Sequence, residues 1–212
     1  MTQGMLFDFF GGVSQEGAGW AVDFEKVLYE LARWLIPIAI CLLAEGVWLE
    51  KQRKIEALAC YRYGSVKLWW RRKFVKSLVH GAAMAAVLPA AAMAADLACG
   101  AGFAKEGWNI LLLWSAHVIT ILSIFFVLDR TRLRGGAPAI LLLLEGVTFL
   151  LGFSDGRRAR FMFGMWGMYL QSQWRLGETG IPVLSSLVLE TALAASGYLA
   201  GRILWKRRGI FE

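Results

Sequence analysis

Five long apolar stretches set the narrowest limit on what this chain can fold into. A membrane core about 30 Å thick needs roughly 20 apolar residues per helix, and each stretch comes close to that length. Because hydrocarbon offers an open strand or coil no hydrogen-bond partner, each stretch is expected to form a helix. The five predicted spans are Leu31–Leu49, Leu78–Ala98, Trp108–Leu128, Ala137–Phe153 and Ile181–Trp205.

The composition also favours an all-α, polytopic membrane helix bundle over a soluble domain. Apolar residues fill 58% of the 212 positions and charged residues 18%, whereas soluble chains average about 45–50% and about 25%. We interpret 1–26 as an external amino-terminal segment, 27–205 as one transmembrane domain and 206–212 as a cytoplasmic tail. Three cysteines without paired spacing predict neither a disulfide framework nor a metal site.

Basic residues are concentrated on one side of the predicted bundle. Of the 23 Lys and Arg residues, 16 lie in the segments 50–77, 129–136 and 202–212, which face the same side after five crossings. Positive charge near span ends marks the cytoplasmic side. The amino terminus is therefore predicted outside the cell membrane and the carboxyl terminus inside. Since membrane insertion accounts for this charge, we expect a lipid surrounding and no nucleic-acid partner.

The segment 50–77, between the first two spans, carries the strongest signal for a partner. A Tyr63-Gly64-Ser65 turn interrupts it, and Ser65 is a candidate N-cap for a new helix. In that helix, apolar residues such as Trp70 and Phe74 recur every four positions. Two interpretations can hold together. One is a basic helix in the lipid headgroup layer, and the other is a docking helix for a cytoplasmic protein, since Trp and Arg favour interface cores.

Several short motifs surround this turn. They are Leu49-Glu50-Lys51 at a helix end, Arg62-Tyr63-Gly64-Ser65 at the turn, Trp69-Trp70 with Arg71-Arg72-Lys73 in the new helix, and Lys76 before the next span. This pattern resembles the coupling region of permease subunits of ABC-2 type ATP-binding-cassette transporters, and the order of spans over 27–205 is similar. Those permeases begin with one further helix, which this chain either lacks or replaces by packing Met1–Phe10 on the membrane surface.

The resemblance implies an exporter subunit that is not itself an enzyme. ATP and Mg²⁺ would be bound by a dimer of separate cytoplasmic P-loop ATPases, and a second permease chain, identical or homologous, would help to enclose the pathway. This chain has no GxxxxGK[ST] phosphate loop, and no cofactor is expected in it. The resemblance implies ATPase contacts at Tyr63, Gly64, Ser65, Trp69, Trp70 and Arg72.

Two glutamates inside the spans, Glu145 and Glu190, are candidates for a translocation path. Each lies well inside an apolar stretch, where a charged group costs roughly 2.5–3.5 kcal/mol on insertion scales. Three interpretations remain open: neutral carboxyls that bridge helices, a polar lining for a cationic or peptide cargo, and a proton relay. For the whole chain, the alternatives are a non-transporting membrane scaffold or immunity-type accessory subunit, and an intramembrane enzyme using one of these carboxyls as acid or base.

The other polar residues of the spans are predicted to be structural. His80 and His117 are single histidines with no carboxylate at a suitable spacing, so we expect them to bridge helices. Neither a catalytic nor a metal site is expected from them. Arg33, Glu45 and Asp96 lie near span ends, from which their side chains can reach the headgroups.

Small residues predict where helices touch. Spacing of four lets helix backbones approach closely, and we favour contacts within the chain over a dimer face. Pro89 removes one backbone hydrogen bond from its helix and is predicted to kink it. The small residues are Ala82, Ala86, Ala90, Ala94, Gly197 and Gly201.

The aromatic segment 154–180 is too polar at its end to span, so it is expected to dip into the outer leaflet or lie along it.

Overall fold

The computed structural model describes residues 4–13, 24–53, 65–100, 106–154 and 156–206, and among them it contains helices, turns and one isolated bridge. Five helices in this part of the chain are long and apolar enough to span a membrane, which confirms the predicted all-α, multi-pass bundle. The helices are α1 Met5–Phe10, α2 Phe24–Arg53, α3 Val66–Ala98, α4 Gly107–Leu128, α5 Ala137–Ser154, α6 Gly156–Ala159, α7 Gln173–Leu176 and α8 Val183–Lys206.

The five predicted spans correspond to α2, α3, α4, α5 and α8. The largest difference is at α3, which begins at Val66 rather than near Leu78. The Ser65 hydroxyl accepts a hydrogen bond from the Leu68 N–H at 3.5 Å, so the predicted N-cap is confirmed. The predicted docking helix and the second predicted span are therefore one helix of 33 residues. We call the end of the bundle that holds 50–53, 65–77, 129–136 and 202–206 the basic end.

Helix α4 lies at the centre of the bundle. Its most apolar window is 61% buried, compared with 17–33% for the other four spans. From α4, the Trp114 indole N–H donates to the Ala85 carbonyl of α3 at 3.1 Å. That carbonyl lies four residues before Pro89, whose nitrogen has no hydrogen to donate. Trp114 therefore satisfies the acceptor that the proline leaves free, and α3 continues unbroken to Ala98.

Helix α8 packs on its neighbours through the predicted glycine pair. The Trp70 ring of α3 lies against Gly201, and its indole N–H donates to the Tyr198 carbonyl at 3.1 Å. Gly197 lies beside Val127 of α4. The expectation that this pair makes contacts within the chain is confirmed.

Replacing Gly201 with Ala is expected to lower the free energy of unfolding by about 1–3 kcal/mol, the usual cost of overpacking. The added Cβ would lie 2.0 Å from Trp70 Cζ2, so the buried ring would have to move away from its hydrogen bond. Gly197→Ala is the matched control, because its Cβ would stay 3.7 Å from Val127 Cγ2. Thermal unfolding in mild detergent should show a lower midpoint for the first variant alone; equal midpoints would contradict this packing.

The expectation that the alanine stripe of α3 makes contacts within the chain is wrong for three of its four residues, and Ala82 is half-buried. Ala86, Ala90 and Ala94 are exposed, and the buried stripe is displaced by one position. It carries Gly81, Ala85 and Pro89. A Cβ added to Gly81 would lie 3.0 Å from Leu122 of α4, so the missing side chain is what lets these two helices approach. The two stripes cannot be told apart by spacing, because both repeat small residues every four positions.

The aromatic segment after α5 turns into the bundle. Short 3₁₀ turns lie at Phe163–Met165 and Tyr169–Gln171, with a further turn at 166–167 between them. Phe161 and Trp174, at its two ends, remain exposed. We call residues 162–171 the plug segment. Its buried large side chains are Phe163, Met165, Trp166, Met168 and Tyr169.

Helix α1 packs at the same end of the bundle, opposite the basic end. The Asp96 carboxylate at the end of α3 accepts hydrogen bonds from the N–H groups of Met5 and Leu6, at 2.7 and 3.0 Å. Phe10 meets the Trp114 ring edge-on at 4.9 Å between centroids, and Gly11 accepts from the Leu170 N–H at 2.9 Å. The amino-terminal helix thus connects α3, α4 and the plug segment, and Asp96 has a structural role.

Candidate functional site

Four helices bring Trp34, His117, Glu145 and Glu190 together inside the bundle. His117 Nε2 lies 2.9 Å from Glu145 Oε1, and its Nδ1 lies 2.9 Å from Glu190 Oε1. The Trp34 indole N–H donates to the same Glu145 oxygen at 3.0 Å. His117 and Glu145 are fully buried, and Glu190 is 2% exposed. We call these four side chains the midspan cluster.

Helical periodicity explains why the glutamates point inward. In α5, Leu141, Glu145 and Phe149 recur every four residues and form the buried stripe. In α8, Glu190 follows Ser186 at the same interval, and both are buried. Each carboxyl is therefore on the face by which its helix packs on α4.

The plug segment covers the midspan cluster. The Phe163 and His117 ring centroids are 4.8 Å apart, and a Cβ added to Gly167 would lie 2.5 Å from the Cβ of His117. The Gly164 N–H donates to Thr148 Oγ1 at 2.9 Å, on the helix that carries Glu145. Two glycines therefore permit a close approach that a side chain would prevent.

One oxygen of each glutamate in the midspan cluster has no partner. Glu145 Oε2 and Glu190 Oε2 are buried and accept no hydrogen bond from the described part of the chain. Burying a polar or charged atom without a partner is costly. No group of three potential metal ligands occurs among the described residues. The chemistry that this site offers is the holding and exchange of protons between two carboxyls and an imidazole.

A second polar contact joins α2 and α3. Glu45 accepts from Ser77 Oγ at 2.6 Å, and its other oxygen lies 2.5 Å from His80 Nδ1. The His80 ring stacks on Trp48 at 4.8 Å. Glu45 is fully buried, so the expectation that it reaches toward the headgroups is wrong: these two partners satisfy it inside the bundle. Arg33, by contrast, pairs with Asp8 of α1 at 3.4 Å.

The predicted ATPase contacts divide into exposed and buried residues. Ser65 and Arg72 are exposed, whereas Trp69 and Trp70 are 0% exposed. This differs from the expectation that both tryptophans face a partner. Their side chains are buried where α3 packs on the rest of the bundle, as Trp70 does against Phe126 of α4 and Gly201 of α8. Arg130 lies over the Trp69 ring, 6.0 Å from its centroid. The remaining predicted contacts, Tyr63 and Gly64, lie outside the described residues.

Ion pairs connect the helix ends at the basic end. Arg53, at the end of α2, pairs with Asp129 after α4 and with Glu50 at 2.9 Å. Glu50 also pairs with Arg134, which precedes α5. Asp129 is buried, so the Arg53–Asp129 pair is shielded from the screening that weakens surface pairs. These contacts hold three spans together beside the first turns of α3.

His117 is the site residue that the sequence analysis did not connect with the carboxyls. No local spacing could show the contact, because the partners lie 28 and 73 positions away. The available signal was depth, since all three residues lie well inside their apolar stretches.

Comparisons with known proteins leave the family open. No family model matches the chain, and neither a curated protein nor a solved structure shows significant similarity to it.

Proposed function

We propose that this chain is a membrane-spanning permease subunit of an ATP-binding-cassette exporter of the ABC-2 type. A dimer of separate cytoplasmic ATPases would drive it, and a second permease chain, identical or homologous, would complete the pathway. In this proposal the basic end faces the cytoplasm. The carboxyls of Glu145 and Glu190 become accessible to cargo only when the plug segment moves.

The continuity of α3 is the observation that carries this proposal. Its 33 residues extend about 50 Å at 1.5 Å per residue, from the exposed turns after Ser65 to the contact of Asp96 with α1. In this proposal the continuous helix carries a displacement past Pro89 from one end to the other, as rigid-body gating requires. A partner that moves the first turns of α3 would therefore also move Asp96 and the α1 helix bound to it. Residue Gly11, which follows α1, is hydrogen-bonded to Leu170 of the plug segment.

The exposed charges of these first turns supply the surface on which a partner would bind. Lys67, Arg71 and Arg72 are exposed, while Trp69 and Trp70 support them from the interior. The ion pairs of Arg53 and Glu50 lie beside this surface and hold α2 against the segment between α4 and α5. In this proposal the ion pairs close the pathway at the basic end, and the plug segment covers the midspan cluster on the opposite side.

Substituting Lys67 and Arg71 together by Ala is expected to weaken ATPase binding about tenfold, equal to about 1.4 kcal/mol, without unfolding the bundle. The full chain is purified in mild detergent, and the co-purified P-loop ATPase and its ATP turnover are measured. The matched control is Lys26→Ala, an exposed lysine at the other end of α2, away from the basic end, which should retain the ATPase.

Two results would count against the permease. Absence of any stoichiometric ATPase from the purified wild-type chain removes the proposed engine. The membrane scaffold is favoured instead if the ATPase binds but its ATP turnover does not depend on the permease. In that case the turnover is the same with and without the permease, and the same in the substituted chain and its control. Substitution of the buried tryptophans is unsuitable for this test, because loss of packing alone would release a partner.

A further inference from the structure

The hydrogen bonds of the midspan cluster fix a minimum number of protons. A neutral imidazole has one N–H and one acceptor nitrogen, yet both ring nitrogens of His117 lie 2.9 Å from a carboxyl oxygen. Each of these two contacts needs a proton between its atoms. The second proton therefore lies either on the imidazole or on one carboxyl. With two protons, the cluster is either an imidazolium with two carboxylates or a neutral imidazole with one carboxylate and one carboxylic acid. Both states have a net charge of −1.

A net charge of −1 is unfavourable at this place. The cluster lies within the spans, where an uncompensated charge costs several kcal/mol. The ionisable groups in contact with His117 among the described residues are Glu145 and Glu190, each at 2.9 Å. The neighbouring α2 and plug segment contribute Trp34, Phe163 and Gly167, and none of these three side chains is ionisable. No cation from a described neighbour balances the second carboxylate.

The bonding pattern indicates where a third proton would bind. Glu145 Oε1 faces two nitrogens, His117 Nε2 and Trp34 Nε1, so it is suited to be the carboxylate that accepts from both. Glu190 has only one such contact among the described residues, so less is lost when it is the carboxyl that carries the proton. We propose that the midspan cluster is a proton-binding site holding three protons, with His117 as an imidazolium between an ionised Glu145 and a protonated Glu190.

This proton site does not depend on the permease proposal. In any function of the chain, the third proton must leave or be replaced by a cation when the cluster is opened to water, since a hydrated carboxyl ionises at neutral pH. Phe163 and Gly167 separate the site from the end at which α1 packs. Proton exchange with that side therefore requires movement of the plug segment.

Infrared spectroscopy of the purified full chain in lipid nanodiscs at neutral pH tests the carboxyl. Glu45 is the other buried glutamate of the described residues, so the Glu45→Gln variant provides the background. We expect a carbonyl stretching band of a protonated carboxyl in this background that shifts in heavy water and is lost with Glu190→Gln. Retention of the band in the double variant, or its absence from the background, would overturn the proposal.

Nitrogen-15 spectra of labelled histidine test the imidazole without substituting either carboxyl. The chain has two histidines, so His80→Gln leaves His117 as the single labelled residue. Two protonated ring nitrogens together with the carboxyl band support the three-proton site. One unprotonated ring nitrogen overturns the three-proton site. The infrared measurement is also repeated with sodium replaced by choline. If the carboxyl band appears only in choline, sodium occupies the place that we assign to the proton, and the proposal is overturned.

Discussion

Replacing His117 with Leu is expected to lower the free energy of unfolding by about 3–5 kcal/mol, the cost of removing one partner from a buried charged network. Both 2.9 Å contacts are lost together. Among the described residues, the Glu190 carboxyl is then left without a hydrogen-bond partner, and Glu145 keeps only Trp34. Unfolding of the purified chain in mild detergent, with increasing denaturing detergent, measures this loss.

His80→Leu is the matched control, since it removes the other histidine. His80 has one contact with a carboxyl, its side chain is 30% exposed, and Glu45 keeps its hydrogen bond from Ser77. We expect a smaller loss of about 1–3 kcal/mol, because a single buried oxygen of Glu45 loses its partner. An equal effect of the two variants would contradict the assignment of the midspan cluster as the principal polar contact of the core.

A triple variant separates the loss of pairing from the loss of packing. Replacing His117, Glu145 and Glu190 together by Leu removes every charge of the cluster, and buried ion pairs replaced by apolar residues of similar volume are often neutral or stabilising. The triple variant should therefore be more stable than His117→Leu alone. If the three substitutions simply add, the side chains act independently and the cluster is not a unit.

The positions of the spans could be predicted because lipid leaves an apolar stretch no alternative to a helix. Helix α4 illustrates this, since it begins one residue before the predicted Trp108 and ends at the predicted Leu128. Hydropathy does not set the start of α3, where the Ser65 cap and packed aromatic rings extend the helix beyond the apolar stretch. The sequence contained the cap but not the neighbours that bury those rings.

The contacts of the aromatic side chains could not be predicted, because a four-residue spacing of aromatic residues is equally suited to binding a partner and to packing within the chain. Trp70 and Phe74 do form one face of α3, as their spacing indicates. That face packs on Phe126 and Tyr198 of the same chain, with ring centroids 5.1 Å apart for Trp70–Phe126 and Phe74–Tyr198. A tryptophan favours a partner's interface and a helix contact within the chain for the same reason, its large apolar surface, so composition alone cannot choose between them.

Gly164→Ala is expected to displace the plug segment and to destabilise its attachment by about 1–3 kcal/mol, the cost of overpacking. An added Cβ would lie 2.3 Å from the Glu145 carbonyl oxygen and 2.9 Å from the Phe149 nitrogen. Both are backbone atoms of α5, so no rotamer change relieves the contact. The Gly164 N–H would also lose Thr148 as its acceptor. Hydrogen exchange of the amides in residues 163–171 should therefore accelerate roughly 5- to 150-fold, at tenfold per 1.4 kcal/mol.

Gly146→Ala gives the comparison on the same helix, one residue from Glu145. No neighbouring atom lies within 4 Å of its added Cβ, and Ala favours a helix over Gly by up to about 1 kcal/mol. Its plug-segment amides should exchange as in the wild type. If Gly164→Ala leaves those amides equally protected, the segment does not rest on α5 and cannot be the cover of the midspan cluster. If Gly164→Ala speeds exchange in the plug-segment amides while the amides of the spans stay protected, the plug segment opens without unfolding of the spans. Controlled access to the midspan cluster requires this behaviour.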